Sequence, residues 1–183
     1  MTEIRYKVNV PNGISGDYKV VVNNSKFDGE TVLYQFIDNK WMNIMDDGDF
    51  EVTQANEFLS AATGDVLLAG LGLGMVLQPL IDNQNVTSIT VIEKYQEVID
   101  LVSPHIVSSK TINIINDDIY TWTPDKNYDV AWFDSYVYPQ DGDDPLGTYL
   151  SSMTKKYRNV VTKAYFWPGY NDHGPVETGH LGW

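Results

Sequence analysis

The chain has 183 residues, 43% of them hydrophobic, and this length suits one domain of ordinary size or one domain with a small appendage. Asp and Glu outnumber Lys and Arg by 25 to 12, and the net charge of −13 repels phosphate backbones. We therefore expect no nucleic-acid partner and a preference for cationic ligands. The sequence has no cysteine, no run apolar enough to span a membrane and no signal peptide at its start. These features exclude disulfides and thiolate metal sites, and they predict a cytoplasmic protein without a membrane partner.

Residues 1–50 carry three β-rich stretches with turn signals around and between them. The stretches are IRYKVNV, YKVVVNN and TVLYQFI, and the turn signals are Pro11-Asn12-Gly13, Asp28-Gly29 and Asp38-Asn39. Short β-rich runs bounded by Gly, Pro, Asn and Asp are typical of hairpins. We predict a small antiparallel β-hairpin segment over residues 1–50.

Strand and helix patterns alternate over residues 51–167. TQANEFLSAAT predicts a helix with Thr53 as a possible N-cap, ended by Gly64. Continuous apolar, β-branched strands between helices indicate a parallel sheet covered on both faces. We predict an α/β fold with a doubly wound, mostly parallel sheet over 51–167, whose ligand lies at the carboxyl ends of the strands. Residues 168–183 are rich in Gly and Pro and predict an irregular tail. The strands are DVLLAG, SITVIEK, TINIINDD, YDVAWFDS and NVVTKAYFW, and the helices are MVLQPLIDN, YQEVIDLVS and PLGTYLSSMTKKY.

Glycine occupies every second position where the first of these strands ends, at Gly70, Gly72 and Gly74. Glycine is costly in a strand-like run, so the corner predicts a ligand that approaches the backbone closely, and a tight turn without a ligand is the alternative. The next strand ends in Glu93, where a carboxylate can accept both hydroxyls of a ribose. Acids also end the two strands after that, at Asp117-Asp118 and at Asp134. Glycine or acid at the same edge of four strands predicts a nucleotide-like ligand.

The residues around the glycine corner favour a ligand without phosphates. In the pattern for NAD the third glycine follows two intervening residues, whereas here Gly74 comes one residue early and Met75 stands in its place. No Lys or Arg lies between Lys40 and Lys94 to neutralise a diphosphate. A cofactor with a positive sulfonium and no phosphate, S-adenosylmethionine, suits such an acid-lined pocket better.

Four motifs in chain order carry a resemblance to a known family: DVLLAGLGLGM, ITVIEKYQEVIDLV, INIINDDIYTW and YDVAWFDS. Over about residues 50–165 the chain resembles the class I S-adenosylmethionine-dependent methyltransferases. It is most similar to their spermidine-synthase-like branch and to small phage-type methyltransferase-like proteins. The resemblance implies a Rossmann-like fold that is shortened at its carboxyl end, where the usual last two strands are missing. NVVTKAYFW would then leave an apolar edge strand, and natural proteins normally cover such edges, so we expect a homo-oligomer, most simply a dimer.

The resemblance also implies the roles of particular residues. The glycine corner would lie under the methionine part of the cofactor, Glu93 on the ribose, Asp117 at the adenine amine and Ile119 against the ring. Asp134 would lie beside the sulfonium. The residues expected to bind the cofactor are Gly70, Leu71, Gly72, Gly74, Glu93, Lys94, Asp117, Asp118, Ile119 and Asp134.

The stretch that follows Asp134 is similar to the gatekeeping loop of aminopropyltransferases, whose acids bind and deprotonate an amine. Asp134-Ser135-Tyr136 also resembles part of a motif of amino-group methyltransferases. The candidate catalytic residues are Asp134, Tyr136 and Asp144, and no metal site is predicted. The favoured function is methyl transfer to a small amine or hydroxyl acceptor. The alternatives are aminopropyl transfer from decarboxylated S-adenosylmethionine and a non-catalytic module that binds S-adenosylmethionine.

Overall fold

The computed structural model describes residues 9–22, 31–135 and 145–167, and the backbone of two short strands at 170–171 and 174–175. A four-stranded antiparallel sheet with the order β1-β2-β3-β4 comes first and confirms the predicted N-terminal β segment. The turn between β3 and β4 holds Asp38 and Asn39, both at positive φ, as a two-residue hairpin turn of type I′ requires. The strands are β1 Gly13–Ser15, β2 Tyr18–Val22, β3 Thr31–Ile37 and β4 Lys40–Asp46.

A five-stranded sheet follows, and all of its neighbouring strands are parallel. Its order is β7-β6-β5-β8-β9, which confirms the predicted α/β fold and leaves β9 at one edge of the described sheet. Two residues each of β10 and β11 then pair as a small antiparallel hairpin. The strands are β5 Gly64–Ala69, β6 Val86–Glu93, β7 Thr111–Asn116, β8 Tyr128–Phe133, β9 Val161–Phe166, β10 Tyr170–Asn171 and β11 Gly174–Pro175.

The segment predicted as one helix forms two short helices, and the prediction of Thr53 as the N-cap is wrong. The first helix begins four residues earlier, at Asp49, because Asp49 and Glu51 in its first turn complement the helix dipole. The Thr53 hydroxyl instead donates a hydrogen bond to the carbonyl of Phe50. Within the described chain, no helix is both long and apolar enough to cross a membrane. The helices are α1 Asp49–Gln54, α2 Asn56–Ala61, α3 Leu77–Asp82, α4 Gln96–Val102, a 3₁₀ turn Ser103–His105 and α5 Pro145–Tyr157.

Apolar cores cover both faces of the parallel sheet because successive side chains of each strand point to opposite faces. On one face Leu68 and Trp132 belong to a core that includes Phe58 of α2. On the other face Leu67 and Phe133 belong to a second core, built with α5. Strands that are buried on both faces in this way explain the continuous apolar runs in the sequence.

The antiparallel sheet packs against α4 and over the glycine corner. The rings of Tyr18 and Tyr95 lie 5.1 Å apart across this contact. A β-bulge shifts the register between β3 and β4, so that Leu33 pairs with Met45. Bulges re-aim side chains, and here the Met45 sulfur accepts a hydrogen bond from the Leu73 N–H at 3.2 Å. The small sheet therefore becomes a wall above the carboxyl ends of the parallel strands.

Candidate functional site

A cavity of about 660 Å³ lies between the antiparallel sheet and the carboxyl ends of the parallel strands. Leu33, Met42 and Met45 form part of its apolar wall, while the glycine corner and several acids line the opposite side. A volume of this size is within the range of small-molecule sites. The position agrees with the sheet edge at which the sequence predicts a ligand.

The glycine corner is held by conformations that other residues rarely adopt. Gly70, Gly72 and Gly74 have φ values of +100°, +50° and +76°. A Cβ atom on Gly70 would lie 2.6 Å from the carbonyl oxygen of Asp134, and one on Gly72 would lie 2.5 Å from the sulfur of Met45. Atoms of the protein itself, the carbonyl oxygen of Asp134 and the sulfur of Met45, therefore occupy part of the space that the missing side chains leave.

Glu93 ties the glycine corner to the end of β6. Its side chain is 6% exposed, and its Oε2 accepts a hydrogen bond from the Leu71 N–H at 2.8 Å. Its Oε1 accepts one from the Tyr95 N–H at 2.9 Å. Burial raises the pKa of Glu93 even though these hydrogen bonds favour its charged form. A carboxylate oxygen has room for more than one donor, so Glu93 can hold the corner and still accept hydrogen bonds from a ligand.

The other predicted residues that follow β6 and β7 lie on the same cavity. Lys94, Asp117, Asp118 and Ile119 all line it. Lys94 forms an ion pair with Asp118 at 3.0 Å, whereas the Asp117 side chain is exposed. Ile119 is 4% exposed and offers an apolar surface. This part of the cavity combines one apolar contact with one carboxylate open to solvent.

Asp134 follows β8 and lines the cavity beside the corner. Its backbone N–H donates a hydrogen bond to the carbonyl of Ala69 at 3.0 Å, which extends the parallel pairing by one residue. Burial, and then the charge of Glu93, raise the pKa of Asp134 to about 6. The other two predicted catalytic residues, Tyr136 and Asp144, lie outside the described residues.

Two acids that line this cavity, Asp38 and Glu51, were not predicted from the sequence as site residues. Glu51 of α1 lines the cavity although it precedes the first parallel strand. Burial raises the pKa of Glu51 to about 7, and the carboxylates of Asp134 and Asp46 add to the rise. No local pattern distinguishes Glu51 from other acids in a first helical turn. Only the packing of α1 brings it to the site.

Three buried polar atoms of the described residues have no hydrogen-bond partner, and all belong to residues that line this cavity. They are the hydroxyl of Tyr18 and the indole nitrogens of Trp132 and Trp167. Buried donors without partners are rare, because each costs free energy. Their concentration here shows that the polar groups of this cavity are not fully paired with one another.

We expect that replacing Glu51 with glutamine stabilises the protein more at pH 8 than at pH 5. The pKa of Glu51 is about 7 in the folded chain against an ordinary 4.5. The folded state therefore binds more protons in this window, and the free energy of unfolding falls as the pH rises through it. Glutamine does not titrate, so the Glu51→Gln variant does not lose this stability as the pH rises. Each pKa unit corresponds to about 1.4 kcal/mol, and after a discount for solvent screening we expect a gain about 1–2 kcal/mol larger at pH 8, measured by urea unfolding.

Glu57→Gln is the matched control for this experiment, since Glu57 is exposed on the neighbouring helix α2. The pH dependence of its effect is the baseline that is subtracted from that of Glu51→Gln. If no difference between pH 8 and pH 5 remains after this subtraction, the pH argument is wrong.

No protein-family model matches the chain, and no curated protein matches it in sequence. Solved structures do match. A proposed RNA methyltransferase from Pyrococcus horikoshii is 12% identical, with a TM-score of 0.50 over 66% of this chain and 58% of that one. The glycopeptide N-methyltransferase MtfA, complexed with sinefungin, is 15% identical, with a TM-score of 0.50 over 66% of this chain and 50% of that one. The DhpI-SAM-HEP complex is 24% identical, with a TM-score of 0.48 over 64% and 53% of the two chains.

These likenesses identify the fold. The five-stranded parallel sheet, the helices on both of its faces and the glycine corner after β5 form the Rossmann-like fold of the class I S-adenosylmethionine-dependent methyltransferases. The chain spans only about half the length of the solved structures that it matches. At these sequence identities the comparison establishes the fold, and the activity has to be argued from the site.

Proposed function

We propose that this chain binds S-adenosylmethionine at the glycine corner and transfers its methyl group to a small amine or hydroxyl acceptor. The observation that carries the proposal is the buried carboxylate of Glu93, which holds the corner through Leu71 on the same cavity as Asp117 and Asp134. The proteins compared above at a TM-score of 0.50 are both named as methyltransferases, which supports this choice.

The residues of the cavity fit the parts of this cofactor. Glu93 would accept the ribose hydroxyls, Asp117 would accept the adenine amine, and Ile119 would pack against the ring. The backbone of Gly70–Gly74 would lie under the methionine part. The cofactor supplies an electrophilic methyl group on a positively charged sulfur, and the carboxylate of Asp134 suits that charge. The protein then has to hold the acceptor in line with the methyl group and to accept its proton.

One observation supports an alternative. The acids around the cavity would also suit the amine acceptor of an aminopropyl transfer, the chemistry of the spermidine-synthase-like branch that the motifs resemble. A module that binds the cofactor at the same corner without turnover is the second alternative. In both alternatives the cofactor occupies the glycine corner. The first consumes decarboxylated S-adenosylmethionine, whereas the second binds S-adenosylmethionine without turnover.

Titration calorimetry with three ligands distinguishes these functions. We expect S-adenosylmethionine and S-adenosylhomocysteine to bind with micromolar affinity, on the order of −8 kcal/mol, and the decarboxylated form to bind more weakly. A preference for decarboxylated S-adenosylmethionine would indicate aminopropyl transfer. Tight binding without methyl transfer to any amine or alcohol would indicate a module. Binding of none of the three ligands would contradict the proposed function.

A further inference from the structure

Two carboxyl groups that interact with each other line the cavity near the end of β8. Asp134 follows this strand directly, and Glu51 reaches the same cavity from α1. After burial, the charge of Asp134 is the strongest influence that raises the pKa of Glu51. Among the described residues, the other charges that shift the pKa values of this pair are the carboxylates Asp46 and Glu93. Neighbouring carboxylates resist ionising together, so the pair favours a cation between them.

An indole group accompanies each carboxyl group of the pair. Trp132 of β8 is 3% exposed, and the backbone N–H of Trp167 donates to the carbonyl of Phe133, which holds Trp167 beside the end of β8. Against the rise caused by burial, Trp132 lowers the pKa of Asp134 and Trp167 lowers that of Glu51. Their indole N–H groups lie near these carboxyls, yet they lack a hydrogen-bond partner within the described chain.

These two observations point to the same kind of occupant. An ammonium group donates several hydrogen bonds and would draw both carboxylates into fixed positions. The indole N–H groups could then close their hydrogen bonds on the ionised carboxylates, and the aromatic rings would favour a nearby positive charge. A neutral hydroxyl group would leave two repelling carboxylates uncompensated. The arrangement is therefore selective for an amine over an alcohol.

We propose that Glu51 and Asp134 together bind the acceptor as an ammonium ion and that Glu51 takes its proton before the methyl transfer. This proposal rests on the proposed function and narrows its acceptor to an amine. Asp134 adjoins the glycine corner, since its backbone N–H donates to the carbonyl of Ala69, so its carboxylate would hold the nitrogen close to the methyl group. Glu51 reaches the cavity from α1 and is the acid left to take the proton, and burial raises its pKa to about 7.

The proton and the electrons balance in this step. One N–H proton of the ammonium moves to the Glu51 carboxylate, which frees the lone pair of the nitrogen. The lone pair forms the new N–C bond while the C–S bond of S-adenosylmethionine breaks, and its electron pair stays on sulfur. The product is a methylated ammonium ion and a neutral thioether. Glu51 then releases its proton to solvent.

The same pair of acids could instead hold the α-ammonium group of the cofactor. In that case the loss of Glu51 would weaken the binding of S-adenosylhomocysteine, which carries the same group. In the acceptor role the loss of Glu51 would leave that binding almost unchanged. The test therefore measures cofactor and amine separately.

The experiment titrates benzylamine, with benzyl alcohol as its neutral counterpart, into the whole protein at pH 8, with and without S-adenosylhomocysteine. The readout is the ¹⁵N–¹H indole signals of the five tryptophans, assigned with Trp132→Phe and Trp167→Phe. We expect benzylamine, and not benzyl alcohol, to shift the signals of Trp132 and Trp167. Glu51→Gln should weaken the binding of benzylamine by about tenfold or more, because it removes a hydrogen bond between two charged groups. The control Glu57→Gln should leave this affinity unchanged, and Glu51→Gln should leave the affinity for S-adenosylhomocysteine unchanged.

Each outcome decides the proposal. It is overturned if benzylamine leaves both indole signals in place, if the alcohol binds as well as the amine, or if Glu51→Gln keeps the affinity for benzylamine. A loss of S-adenosylhomocysteine binding in Glu51→Gln also overturns it and assigns Glu51 to the cofactor. If the wild-type protein does not bind S-adenosylhomocysteine at all, the proposed function fails. The titration without cofactor then still reports whether the acid pair binds an amine.

Discussion

Replacing Gly70 with alanine is expected to destabilise the protein by about 3 kcal/mol or more and to abolish cofactor binding. Its φ of +100° strains any residue with a Cβ atom. The new Cβ would also lie 2.6 Å from the carbonyl oxygen of Asp134, a backbone atom that moves only if the end of β8 moves. Urea unfolding measures the first effect, and titration with S-adenosylhomocysteine measures the second.

Gly74→Ala is the matched control for Gly70→Ala. Gly74 also has a positive φ, +76°, but its added Cβ would make an ordinary contact of 3.4 Å with Val102. The control should therefore show the conformational strain alone, on the order of 1 kcal/mol. Equal losses in the two variants would mean that the close approach to Asp134 contributes nothing.

The replacement of Glu93 with glutamine is expected to weaken the binding of S-adenosylhomocysteine by about 10- to 100-fold. The carboxylate accepts the N–H groups of both Leu71 and Tyr95. Glutamine keeps the shape but places an NH₂ group against one of these donors, so one buried N–H loses its partner at a cost of about 1–3 kcal/mol. The proposed hydrogen bond to the ribose hydroxyls is weakened at the same time. Calorimetry measures the affinity, and urea unfolding shows whether the variant is still folded.

Two comparisons separate the role of Glu93 from a general effect of charge. Glu57→Gln removes one negative charge from an exposed position of α2 and should leave the affinity unchanged. Adenosine alone should lose affinity in Glu93→Gln by the same factor as S-adenosylhomocysteine, because both carry the ribose. A folded Glu93→Gln variant with wild-type affinity would remove Glu93 from the proposed cofactor site.

The antiparallel sheet gives the cavity a wall that the parallel domain alone would lack. Its inner face brings Leu33, Met42 and Met45 over the glycine corner. The sulfur of Met45 is within hydrogen-bonding distance of the Leu73 N–H, so the wall and the corner are directly connected. Any ligand at the corner therefore contacts both parts of the chain.

The sequence by itself determined the order of strands and helices in the parallel domain, because that order depends on local apolar runs and turn residues. It also predicted that Glu93, Asp117 and Asp134 lie at one site, because the carboxyl ends of parallel strands meet at the same edge of the sheet. This inference needed no knowledge of the packing, and all three residues line the cavity. The glycine corner could also be identified from the sequence, because the spacing of its three glycines is a local pattern.

Only the tertiary structure decided which residues outside the parallel strands reach the cavity. Glu51 was missed because helix α1 begins at Asp49 rather than at Thr53, so its register could not be derived from capping preferences. Met45 reaches the corner through a β-bulge, and a bulge of one residue reverses which side chains face inward. Trp132 and Trp167 line one cavity because β8 and β9 pair in parallel, which places the Trp167 N–H on the carbonyl of Phe133. Each of these contacts depends on how distant segments pack, and local sequence patterns carry no information about that packing.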